Sequence, residues 1–223
     1  MNVTGIPEPG SQPLPAPAGP PVTLDHAGLD TRHSGWTVVM ASGVSVELAS
    51  GETAKDYFEP VSQLYLSVFS SPPLSRPIEK LRTQRYTLAR LIDKPTFGLA
   101  VATEAGRLVG FAYGHGLGSD THWWDDFLMP LAVETTREWD GRTFVVIDMA
   151  VAPTHQFRGI GKRLLSTLLA SRPEERASLA VVVGNEGAER FYRHLGWRLA
   201  GRAKGAPQHV APFFDIYILP LKN

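Results

Sequence analysis

Apolar and polar positions divide this chain into segments that are legible one at a time. Phe144–Val151 is a run of apolar and β-branched residues interrupted by Asp148, which predicts a buried strand. Ile160, Leu164, Leu165, Leu168 and Leu169 then recur at helical spacing. Between them, Pro153 breaks the strand, and Gln156, Gly159 and Gly161 spell Q-x-x-G-x-G in a turn. Glycines let backbone approach a ligand closely, and the unpaired amides of a helix start favour anions, phosphate among them.

The flanking segments read in the same way. Trp36–Met40 and Val44–Leu48 predict two short strands, or one bulged strand. From Tyr57 to Phe69 the apolar positions follow helical spacing, with Pro60 tolerated in the first turn or at a kink, and Ser71-Pro72-Pro73 stops the helix. A second helix runs from Ile78 to Ile92 and ends before Pro95. Phe97–Thr103 and Leu108–Tyr113, joined by Glu104-Ala105-Gly106-Arg107, predict a β-hairpin that Gly114, Gly116 and Gly118 close. The stretch from His122 to Trp139 reads as helix or loop. Leu179–Val183 predicts a strand, and Asn185 caps a helix carrying Ala188, Phe191, Tyr192 and Leu195 on one face, with Gly196 as its stop. Trp197–Gly201 and Phe213–Leu219 read as final strands. The sum is an α/β (α+β) domain, a mixed sheet with helices on both faces.

Composition narrows the chemistry. Seven of the 18 prolines precede Val22, so residues 1–22 read as a disordered tail and 23–223 as a single domain. Lys+Arg and Asp+Glu each number 22, a balance that gives no electrostatic reason for a nucleic-acid or membrane partner. There is no cysteine, which excludes disulfides, thiolate metal sites and an acyl-cysteine intermediate; the histidines show no metal-ligand spacing, so no metal is expected. Neither a signal segment nor a long apolar run stands in the sequence, and the expected location is cytoplasmic. A nucleotide-hydrolysing P-loop does not fit, because Gly161-Lys162 is followed by Arg163 and the position five before Gly161 is Gln156.

Ile147-Asp148-Met149-Ala150-Val151, then Gln156 to Gly161, then Asn185, Ala188, Phe191-Tyr192 and Leu195-Gly196-Trp197, resemble the GCN5-related N-acetyltransferase (GNAT) family. The resemblance covers nearly the whole chain beyond the tail. Trp123-Trp124 and the ending from Phe214 to Leu221 look like members common in actinobacteria. The resemblance implies a mostly antiparallel central sheet of about seven strands flanked by about four helices. It also implies acetyl-coenzyme A as acetyl donor, its pyrophosphate held at Gln156, Phe157, Arg158, Gly159, Ile160, Gly161 and Lys162. The pantetheine arm would meet the backbone at Met149, Ala150 and Val151 and the helix of Asn185, Ala188 and Tyr192.

The implied reaction is direct attack of a primary amine, on a small molecule or a protein, in a ternary complex. Tyr192 matches the family position that serves the leaving sulfur; it also completes the apolar face of its helix. Asp148 and Glu134 lead the candidates for the base, ahead of Asp125, Asp126 and His122. Asp148 equally suits a hydrogen-bond acceptor inside the sheet, and Asn185 a cap alone. Phe69, Trp123, Trp124 and Asp125 are candidates for the acceptor wall, the tryptophans serving core or interface otherwise. A cofactor-binding sensor without turnover and a transferase of longer acyl groups are the alternative readings, with homodimerisation left open.

Overall fold

The computed structural model describes residues 43–49, 51–71, 75–206, 209 and 211–221. All lie in one compact unit, Met40–Asn223. The proline-rich segment, the strand expected at Trp36–Met40 and parts of the loops 70–77 and 205–212 fall outside the described residues.

Seven strands form one sheet: β1 (Ser45–Ala49), β2 (Gly98–Glu104), β3 (Arg107–Gly116), β4 (Thr143–Val151), β5 (Arg176–Val182), β6 (Arg198–Lys204) and β7 (Phe213–Pro220). Their order is β1-β2-β3-β4-β5-β7-β6. Every neighbouring pair is antiparallel except β4 and β5, whose parallel pairing requires a crossover. Six helices accompany them: α1 (Glu52–Asp56), α2 (Phe58–Ser70), α3 (Ile78–Leu91), α4 (Val133–Thr136), α5 (Ile160–Leu169) and α6 (Glu186–His194). Four are longer than one or two turns; the sequence reading had no counterpart for α1, and α4 lies in the His122–Trp139 stretch that it left as helix or loop. Pro60 stands in the first turn of α2, where its missing N–H costs no hydrogen bond. Ala105 and Gly106, at φ 48° and 75°, make the two-residue β2–β3 turn that right-twisted strands favour.

Strand alternation sends side chains to two faces. One face packs Ala100, Phe144, Val146, Leu179 and Tyr217 under Ile160, Leu164 and Leu168 of α5, with Phe191 and Tyr192 of α6 against them. The other face carries two clusters. Over β2–β4, Leu99, Val101, Phe111 and Tyr113 pack under Val61, Tyr65 and Val68 of α2 and Leu81 and Leu88 of α3. Over β6 and β7, Ala203 and Ile216 pack under Trp124, with Trp123, Phe127 and Leu131 beside it. Between these clusters the central strand β5 is uncovered at Ala180, which is exposed although its neighbours Leu179 and Val181 are buried.

Gly114 does not close the hairpin, contrary to the sequence reading; β3 runs through it and ends on Gly116. The reason is a bulge in the partner strand. Tyr113 pairs with Asp148 but Gly114 pairs with Val146, so Ile147 is the extra residue on β4. A Cβ on Gly114 would stand 2.0 Å from the Val145 carbonyl oxygen, so only glycine fits there.

Candidate functional site

The parallel pairing of β4 with β5 ends at Val146 and Leu179, although β4 continues to Val151 and β5 to Val182. Beyond the Ile147 bulge the two strands therefore separate. Ala152 N–H donates to the Val109 carbonyl at 2.8 Å. Since backbone direction alternates along an antiparallel ladder, Ala150 and Asp148 also turn their amides to β3, and Met149 and Val151 turn theirs into the opening. The Val151 carbonyl on that side is taken by Gln156, whose Nε2 donates to it at 3.0 Å. Gln156 thus ties the turn to the strand end.

The turn that follows has two left-handed residues, Phe157 at φ 62° and Gly159 at φ 74°. Gly159 is the N-cap of α5 and accepts the first helical hydrogen bond, from Arg163 N–H at 3.1 Å. The amides of Ile160, Gly161 and Lys162 therefore have no intrahelical acceptor. Arg158, Lys162 and Arg163 are exposed around them. A Cβ on Gly159 would meet no atom within 4 Å, so the surface above the helix start is open; one on Gly161 would stand 3.3 Å from the Phe191 ring. Gly161 thus lets α5 and α6 pack closely. Converging amides, exposed cations and the positive end of a ten-residue helix form a donor set that fits a diphosphate.

On α6, Asn185 Oδ1 accepts Ala188 N–H at 3.2 Å and so acts as the cap. Tyr192 is partly buried, packed edge-on against Trp197 at 5.8 Å and beside Phe191. Burial, and after it the charge of Asp148, raises the Tyr192 hydroxyl above its ordinary pKa. The two groups are electrostatic neighbours although they belong to α6 and β4.

Asp148 is set by the register that pairs it with Tyr113, whose hydroxyl donates to Oδ2. Gln84 of α3 donates to the same hydroxyl at 3.3 Å. Burial pushes the Asp148 carboxyl up to about 7, against the lowering effects of the Tyr113 hydrogen bond and the Arg76 charge. Tyr113, Tyr65 and Arg76 are residues the sequence reading missed. Nothing local marks them, because their meeting with Asp148 depends on strand register and helix packing.

The remaining expected residues are dispersed. Glu134 is exposed on α4, which is held at the first residues of β4 and β5: Arg176 donates to Thr135 O at 2.9 Å and to Thr143 Oγ1 at 2.7 Å. Thr143 and Asp148 are five positions apart on β4, about 16 Å at the rise of a strand. The fold therefore separates Glu134 from Asp148 and Tyr192. Trp124 is buried beneath Arg176, 4.7 Å from ring to guanidinium, and its indole N–H donates to Glu138 at 3.0 Å. Trp123 donates to Ser178 on β5 at 2.9 Å and borders the uncovered strand. Asp125 pairs with His122 on the surface at 2.8 Å. Phe69 packs 4.4 Å from Tyr65 and so joins the Asp148 side.

The family model described as Acetyltransferase (GNAT) family matches residues 59–197, more than half of the chain. No curated protein matches in sequence. Among solved structures, Arabidopsis thaliana NAA60 in complex with acetyl-CoA aligns with TM-score 0.57 and 13% identity over 80% of this chain and 98% of that one. PH1933 from Pyrococcus horikoshii aligns with TM-score 0.55 and 19% identity over 81% and 99%. The ribosomal-protein-S18-alanine N-acetyltransferase of Escherichia coli aligns with TM-score 0.53 and 17% identity over 80% and 96%. At these identities the likeness is one of fold, and it agrees with the matched family model: the chain belongs to the GNAT acetyltransferase family.

Proposed function

We propose that this protein transfers an acetyl group from acetyl-coenzyme A to a primary amine, on a small molecule or a protein, by direct attack within a ternary complex. The observation that carries this reading is the opening between β4 and β5, with Asp148 on one side, Tyr192 on the other and a diphosphate-fitting turn at its end. Support for the donor comes also from NAA60, a fold neighbour in complex with acetyl-CoA.

The donor supplies a thioester whose carbonyl carbon bonds to the amine nitrogen as its carbon–sulfur bond breaks. Met149 N–H faces the opening and serves the carbonyl oxygen; donors of this kind contribute roughly 3 to 4 kcal/mol in other enzymes. Asp148, poised near neutrality, accepts the surplus proton of the amine. Tyr192, held protonated by its raised pKa, donates a proton to the departing sulfur. Glu134 has no part in this scheme. With no cysteine in the chain, the acetyl group passes straight to nitrogen.

A titration with acetyl-coenzyme A, followed by backbone amide resonances, tests the placement. The expected shifts fall at Met149, Val151, Phe157 to Lys162 and Asn185 to Tyr192. Saturable binding with shifts confined to other parts of the chain would remove the basis of the proposal.

A further inference from the structure

Among the described residues, Arg76 is the basic side chain whose charge acts on Asp148. The backbone N–H of Arg76 donates to the Phe69 carbonyl at 2.9 Å, and its guanidinium carbon lies 4.9 Å from the Phe69 ring centroid. Phe69 in turn packs on Tyr65, and the Arg76 charge acts on the Tyr65 hydroxyl, against the raising effect of burial. A planar cation set over a ring, on a backbone tied to the same residue, is restricted in position and keeps several N–H donors for a ligand.

Its charge is in no direct contact with a carboxylate among the described residues. Among the described residues Arg76 takes part in none of the ion pairs within 4.0 Å, whereas Arg85 of the next helix pairs with Glu59 at 2.6 Å. Asp148 is near enough to feel Arg76, yet its hydrogen bond is to Tyr113. The acceptor side of the opening thus presents a carboxylate and a guanidinium held apart from each other. A simple ammonium arriving there gains from Asp148 but also meets the positive charge of Arg76. A molecule carrying both an amine and an oxyanion matches both groups, and a guanidinium is suited to hold a carboxylate through two parallel hydrogen bonds.

We propose that the acceptor is a primary amine with a carboxylate close to it, the amine directed to Asp148 and the carboxylate bound by Arg76. The inference rests on the acetyl-transfer reading and deepens it. Two sources share this chemistry, free amino acids and peptides that begin with an acidic residue.

The test pairs each acid with its neutral twin on the coenzyme A-binding protein. Glycine, β-alanine and 4-aminobutyrate are set against their amides, and peptides beginning with Asp or Glu against those beginning with Asn or Gln. At one or more spacings the acid is expected to exceed its amide by about 10-fold or more in kcat/KM. Arg76→Gln is expected to abolish that preference by lowering the acid about 10- to 100-fold further than its amide, compared above about pH 8, where Asp148 is ionised with or without the Arg76 charge. Arg76→Lys restores part of the loss. The peptide and amino-acid arms identify the source. Equal rates for acid and amide at every spacing, or an equal loss of both in Arg76→Gln, would overturn the inference. If acetyl-coenzyme A binds but no amine of any arm is turned over, the transfer reading fails separately. Calorimetry on the coenzyme A-loaded protein then decides the role of Arg76: binding of acid over amide, lost in Arg76→Gln, supports it, and binding of neither contradicts it.

Discussion

Asp148 is subject to opposed influences at a single atom group. Burial favours its neutral form, while the Tyr113 hydroxyl and the Arg76 charge favour the carboxylate, and the balance lies at about 7 against an ordinary value of 3.8. Between those values the folded chain binds the proton more tightly than the unfolded one. This group's stabilising contribution is therefore fully present below about pH 4 and is lost as pH rises through about 7. Catalysis runs in the opposite sense, because the base must be ionised. In the wild type kcat/KM is expected to rise with an apparent pKa near 7 and level off above it, and Asp148→Asn to fall by roughly 100- to 10,000-fold and lose that limb. The same substitution removes the loss of melting temperature between about pH 4 and 7, so that its midpoint gains on the wild type as pH rises. An Asp148→Asn protein with the wild-type rate and pH profile would transfer the base role elsewhere.

At the scale of elements, the bulge in β4 is the feature on which the opening depends. One extra residue, Ile147, rotates the end of the strand, stops its pairing with β5 after Val146 and directs Met149 and Val151 into the gap. The bulge has a counterpart in β3, where Gly114 leaves room for the Val145 carbonyl and the Phe144 ring. Gly114→Ala would force those atoms apart and is expected to cost about 3 kcal/mol or more, lowering the melting temperature by roughly 6 to 12 °C. Gly187→Ala, whose new methyl would meet nothing closer than 3.8 Å, serves as the control and should not lower it. Equal melting of the two variants would contradict the described packing at the bulge. The bulge also explains which elements were legible in the sequence. The β4–turn–α5 unit and the Asn185 cap are local, written in contiguous residues within one hydrophobic period. Gly114 was misread as a strand end because its role is defined by a strand more than thirty residues further along.

For the whole molecule, the fold brings together on one side of the sheet groups from α2, α3, β3 and β4, and on the other side α5 and α6. The strand, turn and helices of the side proposed for the cofactor were largely legible, since they follow one another from Ile147 to Tyr192. The acceptor side was not: Tyr65, Arg76, Gln84, Tyr113 and Asp148 meet only through register and helix packing, and Trp123, Trp124 and Glu134 belong to a segment whose course periodicity does not define. Net charge is zero, so in the proposed reading an anionic donor is attracted by the local group of Arg158, Lys162 and Arg163 rather than by the protein's overall field. No helix among the described residues is long and apolar enough to cross a membrane. The most direct measurement is release of the coenzyme A thiol from acetyl-coenzyme A by the full chain, with and without a panel of primary amines. Release that depends on an amine, saturates with it and yields the matching N-acetyl product is the predicted result. Tight binding of acetyl-coenzyme A with the same thiol release whether or not any amine is present would contradict the transfer of acetyl to nitrogen at this site.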